Sequence, residues 1–85
     1  MDHNTSTITL TGIVDDRPWK GGEMYTFEVR QERETENAIL FSDIHSRATC
    51  WMPKSIIRNG DVKPWGIRKL CENKFYIVEA LHIGR

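Results

Sequence analysis

The sequence predicts a small all-β barrel of five short strands. Three segments alternate apolar and polar residues at period two, turn chemistry separates them, and 85 residues leave room for one core only. Closing the sheet buries edges that an open meander of this size would expose.

The first strand is Thr7-Ile8-Thr9-Leu10-Thr11-Gly12-Ile13-Val14, with Ile8 and Leu10 on one face and the three threonines on the other. Asp15 to Gly22 follows as a loop in which Pro18 fixes φ and the Gly21-Gly22 pair is free to take positive φ. Met24 to Arg30 is the second strand and pairs with the first as a hairpin; Tyr25, Phe27 and Val29 face the core, and Thr26, Glu28 and Arg30 face out. Residues 31–46 read as an insertion, charged from Gln31 to Glu36 and apolar over Ala38-Ile39-Leu40-Phe41. Both a protruding hairpin that pairs with a second copy and a single helical turn over the core fit that pattern.

The third strand turns Ala48, Cys50 and Met52 inward and Arg47, Thr49 and Trp51 outward, and Pro53 stops it. The seven residues from Pro53 to Asn59 are too few for a full helix before the Asn59-Gly60 turn, so the connector is one short turn. Asp61 to Arg68 reads as a fourth strand, which Pro64 makes an edge or a bulge. Lys69 to Lys74 is a polar turn, and Phe75 to Ile83, the most β-prone segment, is the fifth strand.

Composition excludes several classes of function. An apolar share of 39%, 28% charge and a mean hydropathy of −0.51 fit a soluble single domain over 1–85, and no run is long enough to span a bilayer. Residues 1–6 carry no secretory signal and read as a flexible N-terminus, which places the protein in the cytoplasm. Cys50 and Cys71 lie 21 residues apart and suggest neither a disulfide nor a zinc knuckle, and His3, His45 and His82 are scattered, so no metal or other cofactor is expected. No Gly-x-Ser-x-Gly, no phosphate-cradling glycine loop and no apolar carboxylate pair is present, so the chain reads as a non-enzyme.

Lys plus Arg equals Asp plus Glu at 12 each, yet the charge divides along the chain. Residues 1–43 hold four basic and nine acidic side chains, and residues 44–85 hold eight basic and three acidic, a −5 half and a +5 half. The second half therefore offers a basic face, with an ordinary mixed surface as the plain alternative.

Gly60, Asp61, Val62, Gly66 and Ile67 before the last hairpin, with the strand order, resemble an OB-fold over about residues 7 to 83. Within it, Ala48-Thr49-Cys50-Trp51-Met52-Pro53 resembles the third strand of bacterial single-stranded DNA-binding proteins of the primosomal replication protein N type, and the minimal connector between strands 3 and 4 is similar too. Lys74-Phe75-Tyr76-Ile77-Val78 also resembles the end of the OB domain in the exonuclease VII large subunit and in aminoacyl-tRNA synthetases. The primosomal proteins carry an outward aromatic where Thr49 stands; here the indole comes two residues on, at Trp51, on the same face.

The resemblance implies binding of single-stranded DNA or RNA, DNA preferred, on the face of strands 2 and 3. The outward residues there are Thr26, Glu28, Arg30, Arg47, Thr49 and Trp51, flanked by Arg17, Trp19 and Lys20 in the first loop and by Arg68, Lys69 and Lys74 in the last, with Lys54 just after the strand. Bases stack on an exposed indole while Arg and Lys follow phosphates. Trp19 is open to a ligand role or to packing over the barrel mouth, and Trp65 to binding, an interface or a cap on the barrel. The rival reading is an adaptor subunit contacting replication, repair or RNA-processing proteins through residues 31–46 and Trp65; zero net charge favours it. A homodimer fits both.

Overall fold

The computed structural model describes residues 7–14 and 22–83. Its strands are β1 (Ile8–Ile13), β2 (Gly22–Glu34), β3 (Ala38–Asp43), β4 (Thr49–Pro53), β5 (Ile57–Arg58), β6 (Asp61–Val62) and β7 (Glu79–Ile83). A 3-10 turn over Lys54–Ile56 follows β4, and one helix, α1 (Pro64–Glu72), joins β6 to β7. The strands form one curled mixed sheet in the order β4-β3-β2-β1-β6-β5, with β7 added beside β2. The sheet is a half-barrel: β4 and β5 stand at its two ends, and the closed five-stranded barrel expected from the sequence is not formed.

Alternation sets the two faces. Leu10 on β1, Phe27 and Val29 on β2, Phe41 on β3, and Cys50 and Met52 on β4 are buried on the inward face. Phe75 packs edge-on against Phe27 with ring centres 6.5 Å apart. Of the residues 31–46, the first four extend β2 and Ala38–Asp43 return as β3, so this segment is a hairpin within the sheet. β3 consequently lies between β2 and the strand of Trp51, which the sequence had placed as direct neighbours.

The connector after β4 is one 3-10 turn, as the spacing predicted, and it leads into a two-residue hairpin. Asn59 at φ 53° and Gly60 at φ 89° make the turn, both in the left-handed conformation a tight hairpin of this kind requires. The predicted fourth strand stops at Val62. Pro64 opens α1 instead, at the first helical position where its missing N–H costs nothing, and Lys63 before it is extended (φ −66°, ψ 157°). Gly66, Ile67 and Leu70 form the buried stripe of α1, which lies on the inward face of the sheet, and the expected polar turn 69–74 is largely the end of this helix. A side chain at Gly12 would meet the carbonyl oxygen of Val62 and the side chain of Ile67, so glycine there lets β6 and α1 approach β1. The predicted fifth strand begins only at Glu79; residues 75–78 reach β2 as irregular backbone.

One buried carboxylate ties that irregular segment to the sheet. Asp43, 4% exposed at the end of β3, accepts the Tyr76 N–H at 2.7 Å, the Ser46 hydroxyl at 2.8 Å and the His45 N–H at 3.2 Å. Asp43→Ala leaves these donors without their charged acceptor and is expected to lower unfolding free energy by about 2–3 kcal/mol, with Asp43→Asn less damaging. Urea denaturation checks this; a loss under about 1 kcal/mol for Asp43→Ala would contradict the role of Asp43 as a joint.

Candidate functional site

Because α1 covers the inward face, the outward face of β1–β4 is left bare among the described residues. Cross-strand pairing sorts its side chains into rows, since residues directly opposite in register share a face. One row is Arg30, Ser42 and Thr49, and the next is Arg33, Leu40 and Trp51. A bulge between Gln31 and Arg33 shifts the alternation of β2 by one and brings Arg33 into the row of Trp51. Trp51, in the middle of β4, is 46% exposed beside the half-buried Leu40.

The acidic side chains around this face are engaged locally. Glu28 meets the His45 ring nitrogen at 2.7 Å, and the His45 ring lies tilted on Tyr76, centres 5.0 Å apart. Glu32 accepts the Ser42 hydroxyl, and Glu34 pairs with Lys54 and accepts from Gln31. Hydrogen bonding and charge from Lys54 hold the Glu34 carboxyl below its ordinary range. Arg30, Arg33 and Arg47 are exposed, and none pairs with a carboxylate among the described residues.

The expected site residues divide accordingly. Arg30, Thr49 and Trp51 share the outward face, and Arg47 lies exposed in the turn that enters β4. Lys54 lies at the start of the 3-10 turn, tied to Glu34. Arg68 and Lys69 do not join them. Both belong to α1 on the inward side of the sheet, where Arg68 donates to the Val14 carbonyl at 3.2 Å, and Lys74 follows the helix end. They were grouped with Trp51 on the expectation of a hairpin where the chain forms a helix. Arg17, Trp19 and Lys20 lie outside the described residues, as do residues 1–6. Trp65 is exposed on the first turn of α1.

Arg33, Leu40, Ser42 and Tyr76 complete the face and were not singled out from sequence. The run Ala38-Ile39-Leu40-Phe41 carried a signal for Leu40 that its ambiguous period hid; the bulge that redirects Arg33 leaves no mark in the alternation. Burial pushes the thiols of Cys50 and Cys71 up, away from the thiolate form that would make them reactive. Among the described residues no three His, Cys, Asp or Glu side chains converge as a metal site, and no helix is long and apolar enough to cross a membrane.

No protein-family model, curated protein or solved structure matches the chain. The outward face presents an exposed indole beside an apolar neighbour, the hydroxyls of Ser42 and Thr49 and, with Arg47 in the turn before β4, three guanidinium groups.

Lys54→Ala is expected to move the Glu34 carboxyl titration up toward the ordinary glutamate value, followed by carboxyl NMR against pH. A carboxyl held low by its partner contributes stability above its unfolded pKa and loses it as pH falls through the lowered value, so the variant should flatten that acid-side loss. An unmoved Glu34 midpoint would contradict the pairing.

Proposed function

We propose that the protein binds single-stranded nucleic acid, DNA in preference to RNA, as a non-catalytic binding protein, on the outward face of β2, β3 and β4. The half-barrel serves in the manner of an OB-fold, with β3 widening the platform between the two strands that an OB-fold places side by side. The observation that carries the proposal is Trp51, 46% exposed in the middle of the end strand β4, on a sheet face left bare among the described residues and in one row with Leu40 and Arg33. A base stacked on the indole is worth ~1–3 kcal/mol, and Leu40 extends the apolar floor beneath it. Arg30, Arg33 and Arg47 lie where phosphates of the same strand pass, and Ser42 and Thr49 offer hydroxyls to bases or sugars. Arg17, Trp19 and Lys20 stay in the proposal on the strength of the sequence.

A second reading, an adaptor that docks a protein partner, is favoured by one observation. Ile13, Met24 and Leu81 stand opposite one another across β1, β2 and β7, and Ile13 and Leu81 are exposed. An apolar row of this kind on an uncovered sheet fits a protein contact.

Salt dependence and substitution separate the two. Three phosphate contacts on a single strand predict a slope of log affinity against log salt of about −2. Trp51→Ala is expected to weaken oligo(dT) binding by about tenfold or more and to remove most of the tryptophan quenching, while Trp65→Ala leaves both in place. Fluorescence anisotropy with labelled oligo(dT) reads this. Weak binding that ignores both salt and Trp51 would favour the adaptor.

A further inference from the structure

A groove of about 590 Å³ opens where β4 ends, around the 3-10 turn and the β5–β6 hairpin. Lys54, Arg58 and Lys63 line it together with Ser55, and Asp61 is its single carboxylate. Backbone bonds fix where each cation starts. The Lys54 N–H donates to the Asn37 carbonyl at 2.8 Å and the Lys63 N–H to the Ile56 carbonyl at 3.0 Å. Arg58 is held in register with Asp61 by the tight Asn59-Gly60 turn. Neither Arg58 nor Lys63 has a carboxylate within ion-pair distance among the described residues.

With Lys54 tied to Glu34, Arg58 and Lys63 are left without an ion-pair partner among the described residues, and two such cations on fixed backbone beside Asp61 suit a ligand with successive negative charges more than a lone carboxylate or a metal ion. The groove opens at the end of the strand that carries Trp51: Lys54, at its rim, follows Trp51 by three residues of extended chain, about 10 Å. A strand whose base lies on Trp51 and that leaves past the end of β4 is within reach of the groove.

We propose that this groove is a phosphodiester-binding channel for the single strand held on Trp51, with Arg58 and Lys63 each neutralising a phosphate and Ser55 donating a hydrogen bond. The channel rests on the stacking reading for the identity of its strand. It replaces Arg68, Lys69 and Lys74 as the basic part of the site.

Two probes are titrated against the full chain by anisotropy: labelled oligo(dT), and an abasic oligodeoxynucleotide of the same length, which has the sugar–phosphate backbone and no bases. The double variant Arg58→Ala/Lys63→Ala is expected to weaken both and to make the salt slope shallower by about 1.4, two contacts at about 0.7 each. Tryptophan quenching at saturating oligo(dT) should survive in it, and Arg58→Lys/Lys63→Arg should restore the slope, which separates lost charge from lost folding. Trp51→Ala should leave abasic binding unchanged. Abasic affinity and salt slope that are the same in wild type and in the double alanine would overturn the channel. Should oligo(dT) binding prove indifferent to Trp51 while abasic binding still needs Arg58 and Lys63, the stacking reading fails and the groove stands as a phosphate site.

Discussion

β2 gives one of its edges to two partners in succession, and the sheet depends on how that transfer is made. β7 pairs with it over Gly22–Thr26 and β3 over Val29–Glu34, while β1 lies along the other edge. Between the two partners the Val78 N–H donates to the Thr26 carbonyl and the Ile44 N–H to the Glu28 carbonyl, so the edge of β2 stays bonded through the gap. Asp43 closes the joint, since its carboxylate is bonded at once to the end of β3 and to the chain entering β7. A buried charge of this kind is tolerated because backbone and hydroxyl donors surround it. Loss of the joint would free the chain entering β7 from the end of β3, while β3 keeps its backbone pairing with β2.

The functional surface follows from the same arrangement. Gly66, Ile67 and Leu70 commit the nine-residue α1 to the inward side of the sheet. Among the described residues the outward face stays bare, and register places Trp51, Leu40 and Arg33 in one line upon it. The nearby carboxylates bond to His45, Ser42 and Lys54 rather than to the arginines. A chain with no net charge in this way leaves Arg30, Arg33 and Arg47 without a carboxylate partner among the described residues.

Much of this was legible where one local rule governs. The alternation of β1 and β2, the inward Cys50 and Met52, the stop at Pro53 and the Asn59-Gly60 turn all stand as the sequence implies. The failures came where two rules competed. Pro64 looked like a strand breaker, but at the first helical position it starts a helix, and Ile67 and Leu70 at a spacing of three supply its buried stripe. Gln31 to Glu36 is charged and low in strand formers, yet backbone pairing with β3 extends β2 through Glu34, and Ser42 and Lys54 engage Glu32 and Glu34. The basic half of the sequence did not gather on one face, because α1 carries Arg68 and Lys69 to the inward side. Charge counted along a chain says little about faces until the helix is placed.

The most direct test of the central claim is the response of the three indole N–H signals to oligo(dT) in a two-dimensional nitrogen–proton NMR titration. Trp19, Trp51 and Trp65 each give one such signal. The account predicts that the Trp51 signal shifts and saturates with added oligonucleotide while that of Trp65 stays in place. A titration in which Trp51 does not move, or in which Trp65 alone responds, would contradict the outward sheet face as the binding surface.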